Sequence, residues 1–354
     1  MQKDKQCNWS PNGVKRRYPN FKKTWIIILL SLPGFLFSCT SLPKTSQTSS
    51  CTKIATGPGP EDIDLYQNQV IVSSHERREW KPGQILLHKS IPGPYITLER
   101  KGEPEGLFFS PHGISIEKSD KGDFLYVINH GRTNEDGVQS ILIYKVVKDS
   151  LVFQKQIKST LLTSPNDLVT DKNGGLFIIN DSYSRGSVFE AAFSRRKARI
   201  VYCYIETEEC KNVGRPIGLG NSAAINTKTK HLYVSTMFDE GLLRFSIDEN
   251  NELHSEKVVY EAEILDNLYL QDDQIFFSQH PSTYSFIRHA SSDSNEAPSI
   301  VSKYDLNSGK VFHLYANSGE EFSAASGAVL IENRLIISGV FSPFLLSCRL
   351  NEPS

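Results

Sequence analysis

An all-β chain, folded as a six-bladed propeller, is predicted by three regularities of this 354-residue sequence. Five short segments each set a polar side chain at the head of an apolar run. They are Pro60-Glu61-Asp62-Ile63, Pro111-His112-Gly113-Ile114, Pro165-Asn166-Asp167-Leu168, Gly220-Asn221-Ser222-Ala223 and Leu265-Asp266-Asn267-Leu268. Aligned on Asp62, His112, Asn166, Asn221 and Asp266, they recur at steps of 50, 54, 55 and 45 residues, a period that marks a repeat architecture. A β-branched or aromatic run follows each head, and further runs follow that one, which makes about four strands per unit.

The strands can be justified in order. Gln69-Val70-Ile71-Val72-Ser73-Ser74 follows the first head, Phe124-Leu125-Tyr126-Val127-Ile128-Asn129 the second and Leu176-Phe177-Ile178-Ile179-Asn180 the third. His231-Leu232-Tyr233-Val234-Ser235, Gln274-Ile275-Phe276-Phe277-Ser278 and Arg334-Leu335-Ile336-Ile337-Ser338 continue the series, the last after Ala325-Ser326-Gly327-Ala328. Third strands are expected at Ser140-Ile141-Leu142-Ile143-Tyr144 and Gly241-Leu242-Leu243-Arg244-Phe245, and a fourth at Lys257-Val258-Val259-Tyr260. In a propeller the first strand of each blade lines the central channel, so the polar heads meet around one axis. A ring of oxygen donors brought in by separate repeats is a site for a hard cation.

The last repeat runs out of strands at Leu345-Leu346-Ser347-Cys348, while Cys51-Thr52-Lys53-Ile54 lies free ahead of the first. An open ring would expose unpaired edges. The N-terminal segment is therefore expected to supply the missing strand, with Cys51 and Cys348 placed to clamp it. Cys203 and Cys210 flank a short acidic stretch and could bridge a hairpin; buried free thiols are the alternative for both pairs.

Ahead of the repeats, Lys15, Arg16, Arg17, Lys22 and Lys23 precede the apolar run from Trp25 to Leu32. A basic region followed by a short apolar one reads as an export signal. Leu36-Phe37-Ser38-Cys39 resembles the lipobox of bacterial lipoproteins, which implies lipid on Cys39 and a membrane anchor. A plain signal peptide and an uncleaved anchor are the alternatives. The domain plan is thus a signal over 1–38, a polar tether over 39–50 and the propeller over 51–350, exported in every case. Lys and Arg total 39 against 40 Asp and Glu, for a net charge of −1, so nothing argues for a nucleic-acid partner.

Several motifs occur together and in order: Gly59-Pro60-Glu61-Asp62, Phe109-Ser110-Pro111-His112-Gly113-Ile114-Ser115, Val127-Ile128-Asn129-His130, Pro165-Asn166-Asp167-Leu168, Gly220-Asn221, Asp266-Asn267 and Gln279-His280-Pro281. From about Cys51 to Cys348 the chain resembles the serum paraoxonase/arylesterase family. The resemblance implies a six-bladed propeller with two calcium ions in its channel, hydrolysing lactones, aryl esters and some organophosphates. Glu61, Asn166, Asn221, Asp266 and Asn267 would hold the catalytic calcium. Asp62, Asp167 and the backbone carbonyl of Ile114 would hold a deeper, structural one. His112 would be the base that activates water and His130 its partner, with His280 near the mouth.

Elementary electrostatics agrees with that set. Glu61, Asp62, Asp167 and Asp266 near one axis repel strongly in a low-dielectric interior, and cations relieve them while neutral Asn donors add ligands without charge. The sequence departs from the family at Ser222, where Gly is usual, at Arg78, where an aromatic is expected, and over Ser182 to Ala198, which is shorter and more basic. These departures concern the substrate walls. No Gly-x-Ser-x-Gly, Cys-x-x-Cys or His-Glu-x-x-His motif occurs, which disfavours a serine hydrolase or a zinc site. The expected function is calcium-dependent hydrolysis of a small lactone or aryl ester. The alternatives are a gluconolactonase- or strictosidine-synthase-like propeller hydrolase and a non-enzymatic, calcium-stiffened ligand-binding propeller.

Overall fold

The computed structural model describes residues 42–43, 47–79, 81–131, 139–183, 196–237, 241–262 and 264–351. Among the described residues twenty-five strands form six sheets, antiparallel but for one short edge pair, and the fold is a six-bladed β-propeller. Blade 1 comprises β2 (Pro60–Tyr66), β3 (Gln69–Ser74), β4 (Gln84–His88) and β5 (Tyr95–Thr97). Blade 2 comprises β7 (Pro111–Ser119), β8 (Gly122–Asn129), β9 (Ser140–Val147) and β10 (Ser150–Ile157). Blade 3 holds β11 (Pro165–Thr170), β12 (Gly175–Asn180), β13 (Ala198–Tyr204) and β14 (Cys210–Ile217); blade 4 holds β15 (Gly220–Asn226), β16 (His231–Thr236), β17 (Leu242–Ile247) and β18 (Leu253–Tyr260). Blade 5 runs through β19 (Leu265–Gln271), β20 (Gln274–Gln279), β21 (Ser299–Asp305) and β22 (Lys310–Asn317). The innermost strands touch in cyclic order, β2 to β7, β11, β15, β19 and β23 (Ala325–Ile331), and β23 returns to β2.

Tight hairpins set the register. Gln67-Asn68 and Asp272-Asp273 both adopt left-handed backbone and join strands paired at Tyr66–Gln69 and Gln271–Gln274. Two consecutive left-handed residues make the turn whose twist matches that of the flanking strands. The middles of the second strands are apolar at consecutive positions because both sheet faces are covered. In β12, Leu176 and Ile178 pack into the core shared with blade 2, and Phe177 and Ile179 into the core shared with blade 4. Six apolar cores result, one at each junction between neighbouring blades.

Blade 6 closes the ring as expected. Its order is β1 (Thr48–Ala55), β25 (Phe344–Leu350), β24 (Arg334–Gly339) and β23, so the outermost strand comes from the N-terminal end. Cys51 and Cys348 are direct cross-strand partners and are disulfide-bonded, with a sequence separation of 297. Cys203 and Cys210 are also bonded, between the paired β13 and β14. Two disulfides fit an oxidising compartment.

Two features depart from a plain plan of four strands per blade. Blade 2 carries a fifth strand, β6 (Glu99–Lys101), which pairs parallel with β10 as the chain leaves blade 1. A nine-residue helix, α1 (Thr283–Ser291), interrupts blade 5 between its second and third strands, with the Ser282 side chain capping it at the Ser285 amide. The signal over 1–38, Cys39 and residues 40–41 and 44–46 of the tether lie outside the described residues, as does 184–195 of the basic stretch. Strand β1 begins at Thr48, three residues ahead of Cys51.

The closing disulfide predicts a measurable stability. Constraining so long a loop removes a large share of unfolded-chain entropy, so Cys51→Ala should cost up to about 5 kcal/mol. Thermal unfolding of the variant and of wild type, with and without reductant, checks this. Reductant also opens Cys203–Cys210, so reduced wild type should fall to the level of the equally reduced variant.

Candidate functional site

Each first strand enters the channel through a local break in its pairing. The register of first against second strand shifts between Pro60 and Asp62, Pro111 and Ile114, Pro165 and Asp167, Gly220 and Ala223, Leu265 and Leu268, and Ala325 and Ala328. Regular strands send successive side chains to opposite faces, whereas a bulge re-aims them. Glu61, His112, Asn166, Asn221, Asp266 and Asn267 fall within these breaks. Neighbouring pairs such as Glu61–Asp62 and Asp266–Asn267 can therefore both serve the channel. At Gly113 a Cβ would come within 2.6 Å of Asp167 Cα, so only glycine lets blade 2 approach blade 3 this closely.

A second sixfold pattern lies one step higher. The carbonyl just before each first strand accepts from the amide just after each second strand: Gly59 from His75, Ser110 from His130, Ser164 from Asp181, Leu219 from Met237, Ile264 from His280 and Ala324 from Val340. His75, His130 and His280 are thus equivalent positions of three blades. Leu219, Ile264 and Ala324 hold positive φ to make this contact, a strained conformation for residues with a side chain.

The channel has two tiers. In the lower one Asp62 Oδ2 accepts from the Ile114 amide at 2.7 Å and Oδ1 from its neighbour Ile63 at 2.8 Å. Asp167 accepts from the amides of Leu168 (2.7 Å) and Ala223 (3.2 Å) and from the Ser222 hydroxyl. Ser222 in turn accepts from the Leu268 amide at 2.9 Å, so this fully buried hydroxyl links blades 3, 4 and 5. Asp62, Asp167 and Ile114 also line a cavity of about 590 Å³ beneath them, whose wall includes Asp64, Lys118 and Tyr269.

The upper tier gathers Glu61, Asn166, Asn221, Asp266 and Asn267. Glu61 is held from blades 5 and 6: its backbone carbonyl accepts from Ser326, from Ser338 at 3.0 Å and from the Asn267 amide nitrogen at 3.2 Å. That nitrogen also lies 3.2 Å from Glu61 Oε1. Asp266 Oδ2 meets His280 Nε2 at 2.8 Å. Glu61 Oε2 and the Oδ1 atoms of Asn166, Asn221 and Asn267 are buried and accept no hydrogen bond. Four such oxygens are costly if left bare, and they are the donor type that a hard cation takes. No three His, Cys, Asp or Glu side chains are grouped to hold a metal among the described residues, so the donor set is largely amide oxygen. The five residues fit a calcium ion.

Electrostatics marks both tiers as needing positive charge. Burial, reinforced by Asp266, pushes the Glu61 carboxyl up to about 7 despite Arg77 beside it. Burial raises Asp167 to about 7 and raises Asp62 as well, with Asp167 and Glu61 repelling the Asp62 carboxylate.

His112 and His130 stand together, their ring centroids 4.5 Å apart. His112 Nε2 is 3.6 Å from Glu61 Oε1, and its Nδ1 accepts from Arg77 Nη1 at 2.8 Å. His130 donates from Nε2 to the Pro165 carbonyl at 2.7 Å. Burial, then the Arg77 charge, then His130 hold His112 well below the usual imidazole range, so it is neutral at pH 7. Burial and Arg77 likewise bring His75 down to about 4.

Sequence reasoning passed over His75, Arg77 and the bridging role of Ser222. His75 was accessible from the second repeat, since it precedes His130 by 55 residues. Arg77 carries no periodic signal; only the folded loop after β3 turns it inward.

Six sheets around an oxygen-lined channel, with a neutral imidazole beside oxygens that accept no hydrogen bond, define a six-bladed propeller with a polar channel. The arylesterase family matches residues 81–350, and the chain belongs to that family. It is 26% identical over 300 residues to serum paraoxonase/lactonase 3 of Homo sapiens, covering 80% of this chain and 84% of that protein. To serum paraoxonase/arylesterase 2 of Rattus norvegicus it is 25% identical over 305 residues, with the same coverage. A gluconolactonase from Xanthomonas campestris has a similar fold, with a TM-score of 0.53 at 15% identity over 86% of this chain and 88% of its own. At the level of the family, the chain is a hydrolase of esters or lactones.

The Ser222 bridge predicts its own test. Ser222→Ala leaves the Leu268 amide without its acceptor and Asp167 Oδ2 with the Ala223 amide alone, at a cost of about 1–3 kcal/mol. Urea unfolding should show a lower midpoint with an unchanged slope.

Proposed function

We propose that this protein is a calcium-dependent hydrolase of lactones and aryl esters, with a small-molecule substrate at the upper tier. The observation that carries the reading is the set of four buried oxygens without donors beside a neutral histidine. Glu61, Asn166, Asn221, Asp266 and Asn267 would hold the ion. Calcium bound there supplies a Lewis acid that polarises a carbonyl and steadies the negative charge on its oxygen. A second ion at Asp62, Asp167 and the Ile114 carbonyl would be structural.

The proton chemistry belongs to the histidines. His112 accepts a proton from the attacking water at Nδ1, the lone pair toward which Arg77 now donates, since burial keeps the ring neutral. His130 keeps the ring in place from its own anchor on Pro165. Its hydrogen bond from Nε2 fixes which nitrogen carries its proton. His280 orients the Asp266 carboxylate. A non-catalytic binding propeller would require the same oxygens but not the paired imidazoles.

Two variants separate the readings. Asp266→Ala should weaken calcium binding, read by calorimetry, and abolish hydrolysis of lactones and phenyl acetate. His112→Gln should leave calcium affinity and melting temperature nearly unchanged while hydrolysis falls about 10²–10⁴-fold. A calcium-loaded, folded wild type that hydrolyses neither class would overturn the enzyme reading in favour of the binding propeller.

We also propose export with lipid on Cys39, which would tether the propeller to a membrane. Detergent phase partitioning checks it: Cys39→Ala should move the protein from the detergent phase to the aqueous one.

A further inference from the structure

We propose that the mouth of this channel selects substrates bearing a carboxylate close to the scissile ester or lactone bond, with the Arg77 guanidinium as its receptor. The proposal rests on the hydrolase reading above and names the substrate class for that site.

The guanidinium sits at the upper tier, and its side chain is only 15% exposed. One nitrogen, Nη1, is used on His112 Nδ1. Nε and Nη2 are buried and make no hydrogen bond of their own, although Nη2 lies 3.3 Å from Glu61 Oε2. These two nitrogens form one edge of the planar group. That edge is the fork that accepts a carboxylate through two parallel hydrogen bonds.

Charge balance points the same way. The acids facing Arg77 are Glu61 and, beyond it, Asp266; a divalent cation held between them cancels both. Glu76 is taken up by the Arg78 backbone amide at 3.2 Å. With Glu61 shared between Arg77 and the cation, the Nε–Nη2 edge keeps two buried nitrogens without a hydrogen bond, a costly state that a ligand carboxylate relieves. The second wall is also cationic. Arg78 lies over the Phe341 ring at 4.4 Å and donates from Nη2 to the His289 carbonyl at 2.7 Å, which ties the loop after β3 to α1. Where an aromatic would offer an apolar wall, this chain offers a fixed guanidinium.

The test compares two esters of equal chain length, 4-nitrophenyl pentanoate and mono(4-nitrophenyl) glutarate, on the calcium-loaded protein. Wild type should prefer the glutarate in kcat/KM by about 10- to 100-fold, the range of a charge-assisted hydrogen-bonded pair, and added salt should erode the preference. Arg77→Gln should abolish the preference chiefly through KM for the anionic ester, and Arg77→Lys should restore part of it. In parallel, glutarate itself is titrated by calorimetry with calcium in excess, and it should bind wild type but not Arg77→Gln. Hydrolysis of both esters without preference, together with glutarate binding that ignores Arg77, overturns the inference and leaves the hydrolase reading standing. Arg77-dependent glutarate binding with no hydrolysis of any ester overturns the hydrolase reading and keeps Arg77 as a carboxylate receptor. If Arg77→Gln does not fold, Arg77→Lys decides: equal binding and preference to wild type in low and high salt would count against the fork.

Discussion

Glu61, Asp62, Asp167 and Asp266 are all buried around one channel, and most of the architecture around it follows from what so much like charge requires. Carboxylates at this range cannot all stay ionised in a dry interior without compensation. The protein answers differently at the two levels. The lower acids are met by backbone amides and by Ser222, whereas four of the upper oxygens accept no hydrogen bond. Hydrogen bonds therefore already hold the lower tier in shape, and the upper tier keeps open acceptors for the cation proposed there.

Delivering these groups to one axis is a backbone problem. A strand alternates its side chains, so a plain first strand could offer the channel only every second residue. The bulge at the head of every first strand removes that limit. It also leaves unpaired backbone, which the carbonyl-to-amide bonds between strand heads and the ends of second strands recover six times over. The same bonds bring His75, His130 and His280 to the rim, so the scaffold and the imidazoles share one construction.

Closure of the ring has the same logic at a larger scale. Each junction between blades buries its own apolar core, and the sixth junction forms only if β1 joins β25. The Cys51–Cys348 bond holds the strand that completes this blade. The ligand residues of blade 1 then meet those of blades 5 and 6, as in the contacts of Glu61 with Asn267, Ser326 and Ser338.

Repeat spacing by itself determined the number of blades, the inner strands, the closure and the identity of the polar heads. These features are legible because each recurs, and recurrence needs no knowledge of contacts. Asp62, Asn166 and Asp266 stand at one phase of a period near 50, and a shared phase in a repeat brings them to one channel, although Asp62 falls a tier below the other two. Tertiary structure alone decided how those heads divide into two tiers, because that depends on which donors reach them. Ser222 became a bridge across three blades, Arg77 a buried partner of His112 and Glu61, and α1 a support for the mouth through Arg78. None of these has a periodic trace. Each arises from a loop or a substitution unique to one blade, and such residues acquire meaning only when a neighbouring blade, distant in sequence, is packed against them.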